Sequence, residues 1–99
     1  SVEELGLRIQ EKSIDIVLDV RRLPEWNNGH IESATHMPLN HLAESALSLD
    51  RDARIAVVCA GGYRSSIGTS LLEQLGFRKI SNVVGGMTAW SNAKLAVAG

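Results

Sequence analysis

VVCAGGYRSS, residues 57–66, is the stretch on which the reading of this chain turns. Its two valines continue the apolar run RIAVVC, a buried strand that ends on Cys59, the only cysteine. Gly61 and Gly62 follow, then Tyr63, Arg64 and two serines. In SSIGTSLLEQLGF beyond them, Ile67, Leu71 and Leu75 fall at helical spacing. Ser65 or Ser66 is expected to cap that helix and Gly76 to terminate it. The stretch therefore reads as a strand, a tight turn and a helix start, with a thiol at the junction.

The flanking sequence extends the pattern. IDIVLDV (14–20) is a second buried strand, because its β-branched and leucine run lacks the alternation of a half-exposed one. ATHMPL reads as a short strand stopped by Pro38, and KISNVV as another strand. Ser1 and Glu4 have capping-box spacing, and Leu5 and Ile9 share a face, which predicts a helix over 2–12. RRLPEWNNGH is a loop with one helical turn at Pro24–Trp26. NHLAESALSL predicts a helix capped by Asn40 with Leu42, Ala46 and Leu49 on one face, and GGMTAWSNA begins a last helix. Alternating strands and helices imply an α/β domain with a largely parallel sheet. Sites in such sheets form at the carboxyl ends of the strands, where Asp19-Val20-Arg21 and the Cys59 loop arrive.

Ninety-nine residues, 44% hydrophobic and 21% charged, make one domain over 1–99 that can build a core without disulfides. A lone cysteine has no internal partner and suits a reducing, cytoplasmic compartment. No apolar run reaches the roughly 20 residues of a membrane span, and no signal peptide is visible. The chain opens at Ser1 rather than a methionine, which leaves a removed leader or neighbouring domain open. A net charge of −1 gives no reason to expect nucleic acid or an anionic membrane as partner.

The loop's chemistry follows from its residue types. Two glycines remove Cβ atoms where the backbone must curl, with φ above zero expected at Gly61 and Gly62. Successive N–H groups in such a curl form an anion-binding nest, and the following helix N-terminus adds more unpaired N–H groups. Arg64 brings a permanent cation. A thiol in that setting is acidified from about 8.5 into a range of about 3.5–7.5. A core cysteine is the bland alternative, but it calls for apolar neighbours on both sides, and here one side is Ala-Gly-Gly-Tyr-Arg-Ser. Two chemistries use such a loop: phosphate ester hydrolysis by a thiolate and sulfur transfer through a persulfide. Cysteine phosphatases have a loop one residue longer, and the narrower ring favours a single sulfur atom.

Three stretches carry a family resemblance in the right order: VLDVRRLPEWNNGHIESATHMPL with its Glu25-Trp26 pair and Gly29-His30-Ile31, then VVCAGGYRSS, then NVVGGMTAW. Over nearly its whole length the chain resembles a single-domain rhodanese. The resemblance implies a parallel five-stranded central sheet with helices on both faces and a sulfurtransferase that needs no cofactor and no metal. It implies Cys59 as the persulfide carrier, a pocket lined by Ala60, Gly61, Gly62, Tyr63 and Ser65, and Arg64 as the group that attracts the donor and holds the thiolate. The substrates would be a small anionic sulfur donor such as thiosulfate and a thiol or cyanide acceptor. The loop CAGGYRSS also looks like that of rhodanese domains joined to metallo-β-lactamase-like persulfide dioxygenases, which suggests a fused or separate partner of that kind. The chain departs from the family pattern at Glu32-Ser33, where Pro-Gly is usual, and at Lys94 and Ala96, where Gly and Pro are frequent.

Asp19 and Arg21 either orient Arg64 or the donor as part of the substrate site, or form an ion pair that braces the strand end. Arg21 and Arg22 together would make a rim that steers anions, with a solvated pair as the plainer reading. His30 reads as a hydrogen-bonded structural histidine, His36 and His41 lack zinc-ligand spacing, and Trp26 and Trp90 read as packing. The rival functions are a non-catalytic partner-binding module, a cysteine phosphatase or arsenate reductase, and a redox sensor. The module often lacks the nucleophile, the phosphatase lacks an evident general acid, and the sensor lacks a resolving cysteine.

Overall fold

A computed structural model describes residues 1–99. The chain runs α1 (Val2–Gln10), β1 (Ile16–Asp19), α2 (Leu23–Asn27), β2 (Thr35–His36), α3 (Leu42–Ser45), β3 (Arg54–Val58), α4 (Tyr63–Gln74), β4 (Lys79–Asn82) and α5 (Gly86–Asn92). The strands form one parallel sheet in the order β2-β1-β3-β4. No helix is long and apolar enough to cross a membrane.

The sheet divides the interior in two. Along β3 successive side chains point to opposite faces. Ile55 and Val57 join Leu18, Val20, Leu42, Leu72 and Phe77 in a core on the α3 and α4 side. Ala56 and Val58 join Val2, Leu5, Val17, Ile31, Met87 and Trp90 on the α1 and α5 side. Because both faces are covered, the strand reads in sequence as an unbroken apolar run.

The expected fifth strand is absent, so the sheet has four. The extended segment near the C-terminus makes a single antiparallel bridge, Ala98 to His30, outside the sheet. The segment before β1 is used instead to end α1, with Lys12 at φ 59°.

Three local readings also change. The helix expected over 40–49 is a four-residue α-turn between two 3₁₀ turns, Leu39–His41 and Ala46–Ser48, and Asn40 does not cap it. Leu39 N–H donates to the Val20 carbonyl at 3.1 Å, which pins the chain to the end of β1 until the helix begins at Leu42. The helix at the cysteine starts at Tyr63, with Gly62 at φ 106° as its N-cap, rather than at a serine. Its buried face is Ser65, Gly68 and Leu72, while Ile67 is exposed. Gly68 is what allows that face in, since a Cβ there would lie 3.3 Å from Leu42 Cδ2.

At the other ends the residues act as their types predict. The Ser1 hydroxyl accepts from Glu4 N–H at 3.2 Å, closing a capping box. Gly76, at φ 98°, ends α4 and lets Phe77 N–H donate to the Leu72 carbonyl at 3.1 Å.

Candidate active site

The Cys59 loop is held open by α5. Met87 N–H donates to the Cys59 carbonyl at 2.8 Å, and Thr88 N–H donates to the Ala60 carbonyl at 2.9 Å. These donors belong to the first turn of α5, which has no carbonyls of its own to satisfy them. In a planar trans peptide the N–H points opposite to the C=O. Tying those two carbonyls to α5 therefore turns the N–H groups of Ala60 and Gly61 the other way. The arrangement needs Gly86, at φ 52°: a Cβ there would lie 2.2 Å from the Cys59 carbonyl oxygen. Of the two loop glycines, only Gly62 takes the left-handed conformation; Gly61 does not, and it is exposed.

Cys59 is almost fully buried and packs with the α3/α4 core, as the bland reading of a lone cysteine expects. Its sulfur is nonetheless surrounded by donors, which that reading does not expect. Gly62 N–H donates to Sγ at 3.0 Å, and the Ser65 hydroxyl lies 3.3 Å away. Burial works against ionisation of the thiol. The Ser65 hydroxyl and the backbone N–H groups of Ser65, Gly62 and Gly61 outweigh it and bring the thiol below its ordinary value.

Arg64 sits at the mouth of the loop in a two-pronged pair with Glu25, at 2.6 and 2.8 Å. Hydrogen bonding to Arg64 is the main reason the Glu25 carboxyl is lowered to about 2; partial burial opposes it, and Arg22 N–H, donating at 3.1 Å, adds to it. Arg64 is attracted by the Cys59 charge as well, but only after the larger effect of Glu25.

The other candidates fall apart into separate roles. Asp19 and Arg21 form a buried pair: Arg21 Nε and Nη2 donate to the Asp19 carboxylate, and Nη2 donates to the Gly29 carbonyl at 2.8 Å. This geometry favours the ion pair that braces the strand end over a place in the substrate site: the buried guanidinium holds the β1 end to the Gly29 turn. Arg22, not Arg21, faces outward, on a cavity of about 330 Å³ formed with Val20, Pro38, Leu39, Asn40 and Arg64. Tyr63 is 78% exposed. Ala60 is half-buried beside the sulfur.

His30 Nδ1–H donates to the Trp26 carbonyl at 2.9 Å and its ring stacks on Trp26, which also stacks against His36. His36 Nε2–H donates to the Arg21 carbonyl at 2.7 Å. Both rings brace the segment that carries Glu25.

Sequence reasoning missed Glu25 as the partner of Arg64 and missed Asn82, whose Oδ1 accepts from the Ser65 hydroxyl at 2.5 Å. The only signals for them were the acidic-aromatic pair at Glu25-Trp26 and the position of Asn82 at the carboxyl end of a strand.

Residues 1–93 match the family model described as a rhodanese-like domain. The chain is 34% identical over 93 residues to the thiosulfate sulfurtransferase GlpE of Shewanella oneidensis, covering 94% of this chain and 91% of that protein. It is 31% identical to YrkF of Bacillus subtilis over 92% of its own length but spans only 52% of that protein. The crystal structure of the Anabaena Alr3790 protein superposes with a TM-score of 0.91 at 32% identity, covering 98% of this chain and 79% of the other. The chain belongs to the rhodanese-like domain family.

Proposed function

We propose that this domain is a sulfurtransferase that carries a sulfane sulfur on Cys59. The observation that carries the reading is the Gly62 N–H on Cys59 Sγ at 3.0 Å, with the neighbouring carbonyls drawn off to α5. Donors so placed favour the thiolate, the nucleophilic form of the residue, and the same donors suit a second sulfur bonded to it.

With thiosulfate as donor, the Cys59 thiolate attacks the outer sulfur. The Sγ–S bond forms, the S–S bond of thiosulfate breaks, and sulfite leaves with the bonding pair. An acceptor thiolate or cyanide then attacks the terminal sulfur, and the Sγ–S pair returns to Cys59. This is covalent catalysis in two half-reactions, with loop N–H groups placed where negative charge builds. Arg22 on the adjacent cavity offers the donor an unburied cation. A lone thiol of this kind keeps its activity in a reducing compartment, and a cytoplasmic location fits that reading.

Steady-state transfer from thiosulfate to cyanide tests the reading. Parallel double-reciprocal lines in the wild type and no turnover in Cys59→Ser are expected. Transfer at the wild-type rate in Cys59→Ser would overturn it, and hydrolysis of an aryl phosphate without sulfur transfer would favour a phosphatase instead.

A further inference from the structure

The Ser65 hydroxyl has one proton and two neighbours that can claim it. Its Oγ lies 3.3 Å from Cys59 Sγ and 2.5 Å from Asn82 Oδ1, and Ser65 is fully buried. While the thiol is neutral the bonds run in one direction: Cys59 S–H donates to Ser65 Oγ, and Ser65 O–H donates to Asn82 Oδ1. Once the proton has left Cys59 for solvent, the sulfur only accepts. Turning the hydroxyl to Sγ then sets two oxygens face to face at the Asn82 contact. Leaving it on Asn82 deprives the thiolate of a donor. A carboxamide resolves the conflict, because a half-turn exchanges its acceptor for a donor of the same size. The bond given up is the weakest in the cluster, Asn82 Nδ2 to the Gly62 carbonyl at 3.5 Å.

We propose that Asn82 is a positioning residue acting through Ser65: its carboxamide turns with the ionisation of Cys59 and so decides whether the Ser65 proton reaches the sulfur. The inference rests on Cys59 being the reacting group. Its test reads ionisation rather than sulfur transfer, so its failure is distinguishable from failure of the sulfurtransferase reading. The charged groups that bear on the loop are Arg64 on α4, its partner Glu25 on α2, and Asp19 with Arg21 at the end of β1. None is altered in the variants.

The rate of iodoacetamide alkylation against pH gives the midpoint of the Cys59 titration. In Asn82→Asp the carboxylate can only accept and keeps the Ser65 proton. The midpoint should rise by about one unit, slowing alkylation about tenfold at pH values below the midpoint. In Asn82→Ala the hydroxyl is free to turn, and the midpoint should stay at or below the wild-type one. In a Ser65→Ala background the effect of Asn82→Asp should shrink to the direct repulsion between carboxylate and thiolate. Equal upward shifts in Asn82→Ala and Asn82→Asp would overturn the proposal, as would an Asn82→Asp effect of full size without the Ser65 hydroxyl. A readout on the unaltered position 82 is the side-chain amide resonance of Asn82. It should follow the Cys59 midpoint in the wild type and lose most of that response in Ser65→Ala, and an identical response in both would also overturn the proposal.

Discussion

Arg64 and Glu25, thirty-nine residues apart in sequence, meet in a two-pronged ion pair at 2.6 and 2.8 Å beside the mouth of the cysteine loop. The pair joins α4 to α2 and fixes the guanidinium in one orientation. Its consequence is an acid-sensitive clamp. The folded carboxyl is lowered to about 2 by its bond to Arg64, against 4.5 without the partner. Over that interval the unfolded chain binds the extra proton, so stability rises with pH. The clamp is fully present above about pH 4.5 and lost as pH falls toward about 2. Thermal midpoints of wild type and Glu25→Gln should differ at neutral pH and converge across that window. The difference should be no more than about 1 kcal/mol, because the pair is about one-third exposed and screened by solvent.

The two glycine pairs are unequal, and substitution separates them. Gly86→Ala places a Cβ 2.2 Å from the Cys59 carbonyl oxygen. It should cost about 3 kcal/mol or more and slow Cys59 alkylation as the loop moves off α5. Gly61→Ala meets nothing within 4 Å and needs no left-handed backbone, so its stability should change by about 0.5 kcal/mol at most. Urea denaturation of the two variants checks both values.

Asp19 is fully buried, and its carboxylate is held by Arg21 through both oxygens. Asp19→Ala leaves that guanidinium buried and unpaired, at a cost of about 3–5 kcal/mol. If the pair braces the fold, stability falls and the KM for thiosulfate changes little in the surviving folded protein. A raised KM with unchanged stability would restore Asp19 to the substrate site.

Lys94 sits at φ 59°, where a Cβ is disfavoured by about 1–2 kcal/mol. The family resemblance had already marked this position as one where glycine is frequent. Lys94→Gly should raise stability by up to about 1 kcal/mol, since the greater freedom of glycine in the unfolded chain offsets part of the relief. Thermal denaturation checks the gain. Sulfur transfer should not change, because α5 is complete at Asn92.

Much of this was legible because it depends on local order. The apolar runs around Val17 and Val57 are covered on both faces, so they could be nothing but central strands. The order of strand, cysteine, glycine turn and helix was readable from residue types, while the cap itself was not: Gly62 rather than a serine starts the helix. What escaped depends on contacts distant in the chain. Whether Arg64 faces the sulfur or Glu25 is decided by where α2 docks, and Asn82 reaches Ser65 only because β4 lies beside β3. On α4, Leu71 and Leu75 pack against the core as their spacing suggests, but the most buried positions include Ser65 and Gly68, small residues without an apolar signal that the close packing against α3 and the loop demands. The fifth strand came from the family resemblance, and the chain spends the available segments on turns and a single bridge.

The most direct measurement is the intact mass of the domain after treatment with thiosulfate and removal of excess reagent. A gain of one sulfur atom in the wild type, lost on adding cyanide and absent in Cys59→Ser, is the predicted result. An unchanged mass, or the same gain in Cys59→Ser, would contradict the account.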